Sequence, residues 1–148
     1  MTYEIDEKDE LILEILKKHG DYTVRRIAKR TGIAPSTIHA RIRKMKAEGL
    51  IRNYTIDIDR KKMGLDIGAY ILISADLKML KEKKKSQRDL ALKIRKMPGV
   101  ENIDVVTGGT DLIARVFVAD LKQLDDLLLS RIQMLGGVSN TQTLIIIR

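Results

Sequence analysis

The sequence predicts an α+β chain in two parts, a short helical unit followed by a mixed unit of strands and helices. Three observations carry this. Apolar residues recur at helical spacing through the first third of the chain. Alternating apolar runs then interleave with two helical stretches in the order β-α-β-β-α-β. Positive charge gathers in one short segment of the helical part instead of spreading evenly. With 148 residues, two half-size units would each have a thin core, which makes association a source of added stability.

The helical part begins with Ile5, Leu11, Ile12, Ile15 and Leu16 on one helical stripe, with Asp6 as N-cap and Gly20 as stop. A second helix is predicted from near Thr23 through "VRRIAKRT" to Gly32. A third starts at Pro35, which suits the first helical position. Its residues Ile38, Ile42 and Met45 form a core stripe, leaving Ser36, Thr37, Ala40, Arg41, Arg43 and Lys44 outside. Ala28, Gly32 and Ile38 have the spacing of a helix-turn-helix. A small residue lets the helices approach, glycine turns the chain, and an aliphatic side chain locks the pair. Beyond Gly49, "LIRNYTIDID" alternates and is expected to leave this unit as a strand.

Charge gives that unit a partner. Residues 1–21 carry three Lys and seven acidic residues, whereas residues 22–52 carry nine Lys or Arg and only Glu48. A concentrated positive field on a helix-turn-helix is the footprint of a surface that meets duplex phosphate. His19 sits at a helix end, where a cation is ordinary. His39 lies within the third helix, where DNA contact and solvent exposure both remain open.

In the second part, "DIGAYILISAD" (66–76) reads as a strand and "SQRDLALKIRKMPGV" as a helix stopped by Pro98 and Gly99. "ENIDVVT" and "DLIARVFV" are strands around a double glycine. "DLKQLDDLLLSRIQMLGGV" is a second helix and "SNTQTLIIIR" the last strand. This order is that of the ferredoxin-like sandwich. "IRKMPGVEN" (94–102) and "IQMLGGVSN" (132–140) repeat weakly, which marks how each helix turns back into the sheet. The basic stretch "KMLKEKKKSQRD" (78–89) reads as a solvated loop, with a secondary DNA or RNA contact as the lesser alternative. Base stacking on the sheet needs aromatic side chains, and Phe117 is the only phenylalanine.

Composition excludes several classes. There is no cysteine, hence no disulfide and no thiolate metal site. No apolar run approaches the roughly 20 residues of a membrane helix, and the acidic start is unlike a secretory signal. A cytoplasmic protein without metal or cofactor is the expectation.

At this point a resemblance becomes specific. "DEKDELILEILKKHGDYTVRRIAKRTGIAPSTIHARIRKMKAEGLIRNYTID" resembles the N-terminal half of the Lrp/AsnC, or feast/famine, regulators, with Arg41 and Gly49-Leu50-Ile51 at characteristic places. The family's "TGxxD" is met by Thr107, Gly108, Gly109, Thr110 and Asp111. Its "GVxxTxT" is met by Gly137, Val138, Ser139, Asn140, Thr141, Gln142 and Thr143. Two departures stand out: Ala34 replaces the usual serine cap of the third helix, and Arg26 stands where the second helix often has Glu. A nearby DNA phosphate would account for Arg26. Thr110 stands where relatives often carry a bulkier residue, so ligand selectivity does not carry across.

The resemblance implies a winged-type helix-turn-helix DNA-binding domain (1–52), a strand linker (53–65) and a ferredoxin-like effector and oligomerisation domain (66–148). It implies homodimers through the sheets, assembly up to octamers, and amino-acid effectors between dimers. Gly108, Gly109, Thr110, Asp111, Thr141 and Thr143 are the candidate effector residues. Asp111 can accept an ammonium and the glycine amides can approach a carboxylate. Read singly, Asp111 could equally cap its turn and the threonines be ordinary strand residues. For duplex DNA, Thr37, His39, Ala40 and Lys44 are the candidates for base edges, and Arg25, Arg41 and Arg43 for phosphates, with Ser36 and Arg26 alongside. Paired third helices would enter successive major grooves roughly 34 Å apart. The function expected is a sequence-specific, effector-modulated transcriptional regulator and not an enzyme. Two alternatives remain: an effector-independent architectural DNA-binding protein, and an enzyme of the same fold resembling siroheme decarboxylases.

Overall fold

Helix α1 (Glu7–Lys18) starts at a capping box. The Asp9 amide donates to the Asp6 carboxylate at 2.9 Å, while the Asp6 amide donates to Asp9 at 3.4 Å. Two otherwise orphaned donors of the first turn are thereby satisfied. Helix α2 (Val24–Thr31) is capped by the Thr23 hydroxyl and ends at Gly32, whose φ of 71° is left-handed as the helix-turn-helix spacing requires. Helix α3 (Pro35–Ala47) has proline in its first turn and, at Ala34, no side-chain cap. Ile12, Ile27, Ile38 and Met45 are fully buried between the three helices. Ile5, which precedes α1, and Leu11, both expected on the same stripe, stay 46% and 47% exposed.

A computed structural model describes residues 3–147, so the outermost bounds expected for the domains lie outside the described residues. The chain divides into two units, Met1–Ile58 and Asp59–Arg148. Where a linker strand was expected, residues 52–59 pair with no strand among the described residues, and a 3-10 turn, Lys61–Met63, follows. Alternation makes a segment extended, but a strand also needs a partner for its backbone groups, and the described part of the helical unit offers none.

In the second unit, β1 (Ile67–Ala75), β2 (Val100–Val105), β3 (Leu112–Val118) and β4 (Val138–Ile145) form an antiparallel sheet in the order β2-β3-β1-β4. Ala69, Ile71 and Ile73 of β1 and Leu112, Ala114 and Val116 of β3 point to one face, under helix α5 (Gln87–Arg95) and helix α6 (Leu121–Asp125). Helix α6 continues through Asp126–Ile132 with wider, π-type turns. The expected β-α-β-β-α-β order holds.

One stretch read as loop is helical. Leu77–Glu82, here α4, begins where Asp76 accepts from the Met79 amide at 2.9 Å. Its buried Leu80 was masked in the sequence by surrounding lysines. The internal repeat is structural. Gly99 and Gly137 have φ of 88° and 109°, and a Cβ on Gly137 would lie 2.5 Å from the Leu80 side chain.

Candidate functional site

Helix α3 presents Ser36, His39, Ala40, Arg43 and Lys44 to solvent, with Thr37 half-buried. Arg25 and Arg26 are exposed on α2. Small, polar and cationic side chains on one exposed helix suit a major groove, where base edges are read by hydrogen bonds and phosphates by charge. Lys44 lies 5.2 Å from the Tyr3 ring centroid. Arg26 lies 4.1 Å over the Tyr22 ring and 3.9 Å from Asp21. Arg26 therefore has partners within the chain, which explain its tolerance in the first turn of α2 without a phosphate.

Arg41 is placed differently. Its Nη1 donates to both Asp6 oxygens at 2.7 Å and to Asp9 Oδ1 at 2.9 Å. Asp9 is 2% exposed, and its other oxygen accepts from the Tyr3 hydroxyl at 3.2 Å. The Arg41 hydrogen bond, then that from the Asp9 amide, hold the Asp6 carboxyl below its ordinary range. The same carboxylates raise Arg41. Burial, then the charge of Asp9, raises Tyr3. Arg41 thus ties α3 to the start of α1. Its residue type alone did not reveal that its anions are carboxylates of its own chain.

The "TGGTD" segment joins β2 to β3. Gly108 has φ of 133°, a conformation strained for any side chain, although the space around it is open. Thr110 donates from Oγ1 to the Ile73 carbonyl at 3.0 Å. Asp111 accepts from the Ala75 amide at Oδ2 and from Gln87 Nε2 at Oδ1, both at 2.7 Å. It fixes the end of β1 and the start of α5 to the loop.

The six expected effector residues do not share one wall. Directly opposed residues of an antiparallel pair share a face, and Thr141 and Thr143 oppose Ile73 and Ile71, on the helix side. Thr141 accepts from Gln133 Nε2 at 2.7 Å, while Thr143 Oγ1 is buried without a hydrogen-bond partner among the described residues. On the other face, Gly109 and Thr110 line a 380 Å³ depression with Leu72, Ser74, Asn140 and Gln142. Asn140 and Gln142 were missed, although the two-residue alternation of β4 separates them from the threonines.

A helix-turn-helix with an exposed cationic helix, joined to a ferredoxin-like unit with a loop-lined depression, defines a class: transcriptional regulators with a DNA-binding and a ligand-binding domain. The family profile of winged helix-turn-helix DNA-binding domains matches residues 5–52, and that of the Lrp/AsnC ligand-binding domain matches residues 69–148. The chain belongs to the Lrp/AsnC family. It is 32% identical to the regulatory protein AsnC of Escherichia coli over 147 residues, covering 99% of this chain and 93% of that one. The structure of E. coli AsnC superposes with a TM-score of 0.79 at 31% identity, covering 99% and 94%. A transcriptional regulator of Neisseria meningitidis, in complex with L-methionine, superposes with a TM-score of 0.86 at 25% identity, covering 98% and 91%. Among the described residues, no helix is long and apolar enough to cross a membrane.

Proposed function

We propose that the chain is a sequence-specific DNA-binding regulator, cytoplasmic and homo-oligomeric, whose assembly or DNA binding responds to an amino acid. The observation that carries the effector is the depression where Gly109 and Thr110 meet Asn140 and Gln142. Backbone and amide groups there offer donors and acceptors to a zwitterion, and Leu72 offers apolar contact. The methionine bound by the Neisseria relative supports the ligand class. Asp111 acts as the brace that holds the loop, since both its oxygens already accept internal donors. Assembly is supported by apolar side chains left exposed on or beside the sheet, including Tyr70, Leu144 and Ile147. An effector shifts assembly only by binding one form more tightly than another. Thermal unfolding of the full chain with each of the twenty amino acids tests this, followed by light scattering with any that stabilise. At least one raises the melting temperature and changes the mass, and Thr110→Val weakens that response. No shift with any of the twenty would overturn the effector reading.

The engaged Asp111 favours a second reading, an effector-independent architectural protein. Competition between operator-containing and random duplex at fixed salt distinguishes the two, because a coating protein shows almost no specificity ratio.

A further inference from the structure

The densest cationic surface of the second unit lies on α4, α5 and the turn between them. From Leu77 to Met97 there are nine Lys or Arg and two acidic residues, Glu82 and Asp89. All nine are exposed, and none forms an ion pair among the described residues. Asp89 is engaged by its own cap, accepting from the Ser86 amide and hydroxyl at 2.8 Å each.

The cations are held together and not splayed apart. The proximity of Lys85, then desolvation and the charge of Lys83, push the Lys93 ammonium below its ordinary range against the opposing charge of Asp89. The turn that brings them together is closed by Lys85 N–H to the Leu80 carbonyl at 2.8 Å and Lys84 N–H to Lys81 at 3.0 Å. In this helix-ending motif the left-handed position is usually glycine, yet here it is Lys84, with φ of 51°. Lys83 lies against Gly136, where any Cβ would collide with its ammonium. A strained backbone that keeps like charges adjacent, with nine cations against only Glu82 and the cap-engaged Asp89, fits an external polyanion.

We propose that this surface is a second, sequence-independent DNA contact, in which Lys83, Lys85 and Lys93 meet duplex phosphates while α3 reads bases. Duplex is favoured over other polyanions because the helical unit tethers it to the same chain, which raises its effective concentration at the second unit. The inference rests on duplex binding by the helical unit.

Full-length protein is titrated with random duplex across a salt series, as wild type and as the triple variant Lys83→Gln, Lys85→Gln, Lys93→Gln. The slope of log affinity against log salt becomes shallower by about 0.9 for each lost contact, so by about 2 to 3 for the triple variant. The triple Lys→Arg variant keeps the wild-type slope. Acetylation of wild-type protein, which needs no variant, loses reactivity at these three lysines when duplex is added. A wild-type slope in the triple Gln variant, alongside a weakened Arg43→Ala, overturns this inference alone. Equal acetylation with and without duplex also overturns it. Binding to vesicles of phosphatidylserine that the Gln variant abolishes, with its duplex slope intact, assigns the surface to a membrane instead. Wild-type protein that binds no duplex at all overturns both this inference and the reading of α3.

Discussion

Among the described residues, the helical unit completely buries four apolar side chains, Ile12, Ile27, Ile38 and Met45, whereas the sheet unit buries a cluster of fourteen. Small units have little surface to remove from water, so the helical one has less hydrophobic stabilisation to lose. It adds a charged clamp, in which Arg41 of α3 grips the two aspartates that open α1. The sheet unit uses its carboxylate brace, Asp111, to position a loop over a core that is already extensive. The same chemistry therefore serves cohesion in one unit and placement in the other.

The largest expected effect breaks this contrast at its weakest point. Ile38→Ala removes a fully buried side chain at a cost of about 2–5 kcal/mol, comparable with the whole stability of a small domain. Calorimetry should show the helical unit melting early or missing, the sheet transition unchanged, and duplex binding lost. Ile71→Ala, cut from the larger core, should lower the sheet transition but leave that unit folded at room temperature. Next comes the clamp. Asp9→Asn should lower the first transition more than Asp6→Asn, because the Asp9 side chain is 3% exposed and that of Asp6 is 55%. Equal effects would show that burial does not set the strength of the clamp.

The clamp also fixes a pH response. The Asp6 carboxyl is held below its unfolded value, first by Arg41 and then by the Asp9 amide. Its contribution is thus fully present above the ordinary carboxylate value of about 3.9 and is lost as pH falls through the lower folded value. In the sheet unit, Asp89 is likewise depressed by the Ser86 amide and hydroxyl, so it has the same sign. Melting curves from about pH 7 down to pH 2.5 should show Asp6→Asn flattening the acid loss of the first transition only. The smallest effect sits at Thr143, whose buried hydroxyl has no hydrogen-bond partner among the described residues. Thr143→Val should stabilise the sheet unit by about 1 kcal/mol and leave any amino-acid response intact. Loss of that response would return Thr143 to the effector site.

Caps, apolar spacing and strand alternation made α1, α2, α3 and the β-α-β-β-α-β order legible, because each leaves a local pattern. Partnership does not. Residues 52–59 alternate like a strand, yet they pair with no strand among the described residues. Helix α4 hid beneath lysines because only Leu80 of its residues is buried. Arg41 looked like a phosphate ligand because charge marks an appetite for anions without naming which anion is near. The effector residues were chosen by motif, and the motif on β4 runs through both faces of the strand. Asn140 and Gln142 fall beside Thr110 and Gly109, whereas Thr141 and Thr143 fall behind them.

The division of labour within α3 is the central claim, and the salt dependence of duplex binding tests it most directly. Wild type, Arg41→Ala and Arg43→Ala are compared at a temperature where all three are folded. Arg43→Ala should make the slope shallower by about 0.9 with an unchanged melting temperature, and Arg41→Ala should keep the wild-type slope while melting lower. A shallower slope for Arg41→Ala with wild-type melting, and no change for Arg43→Ala, would contradict the account.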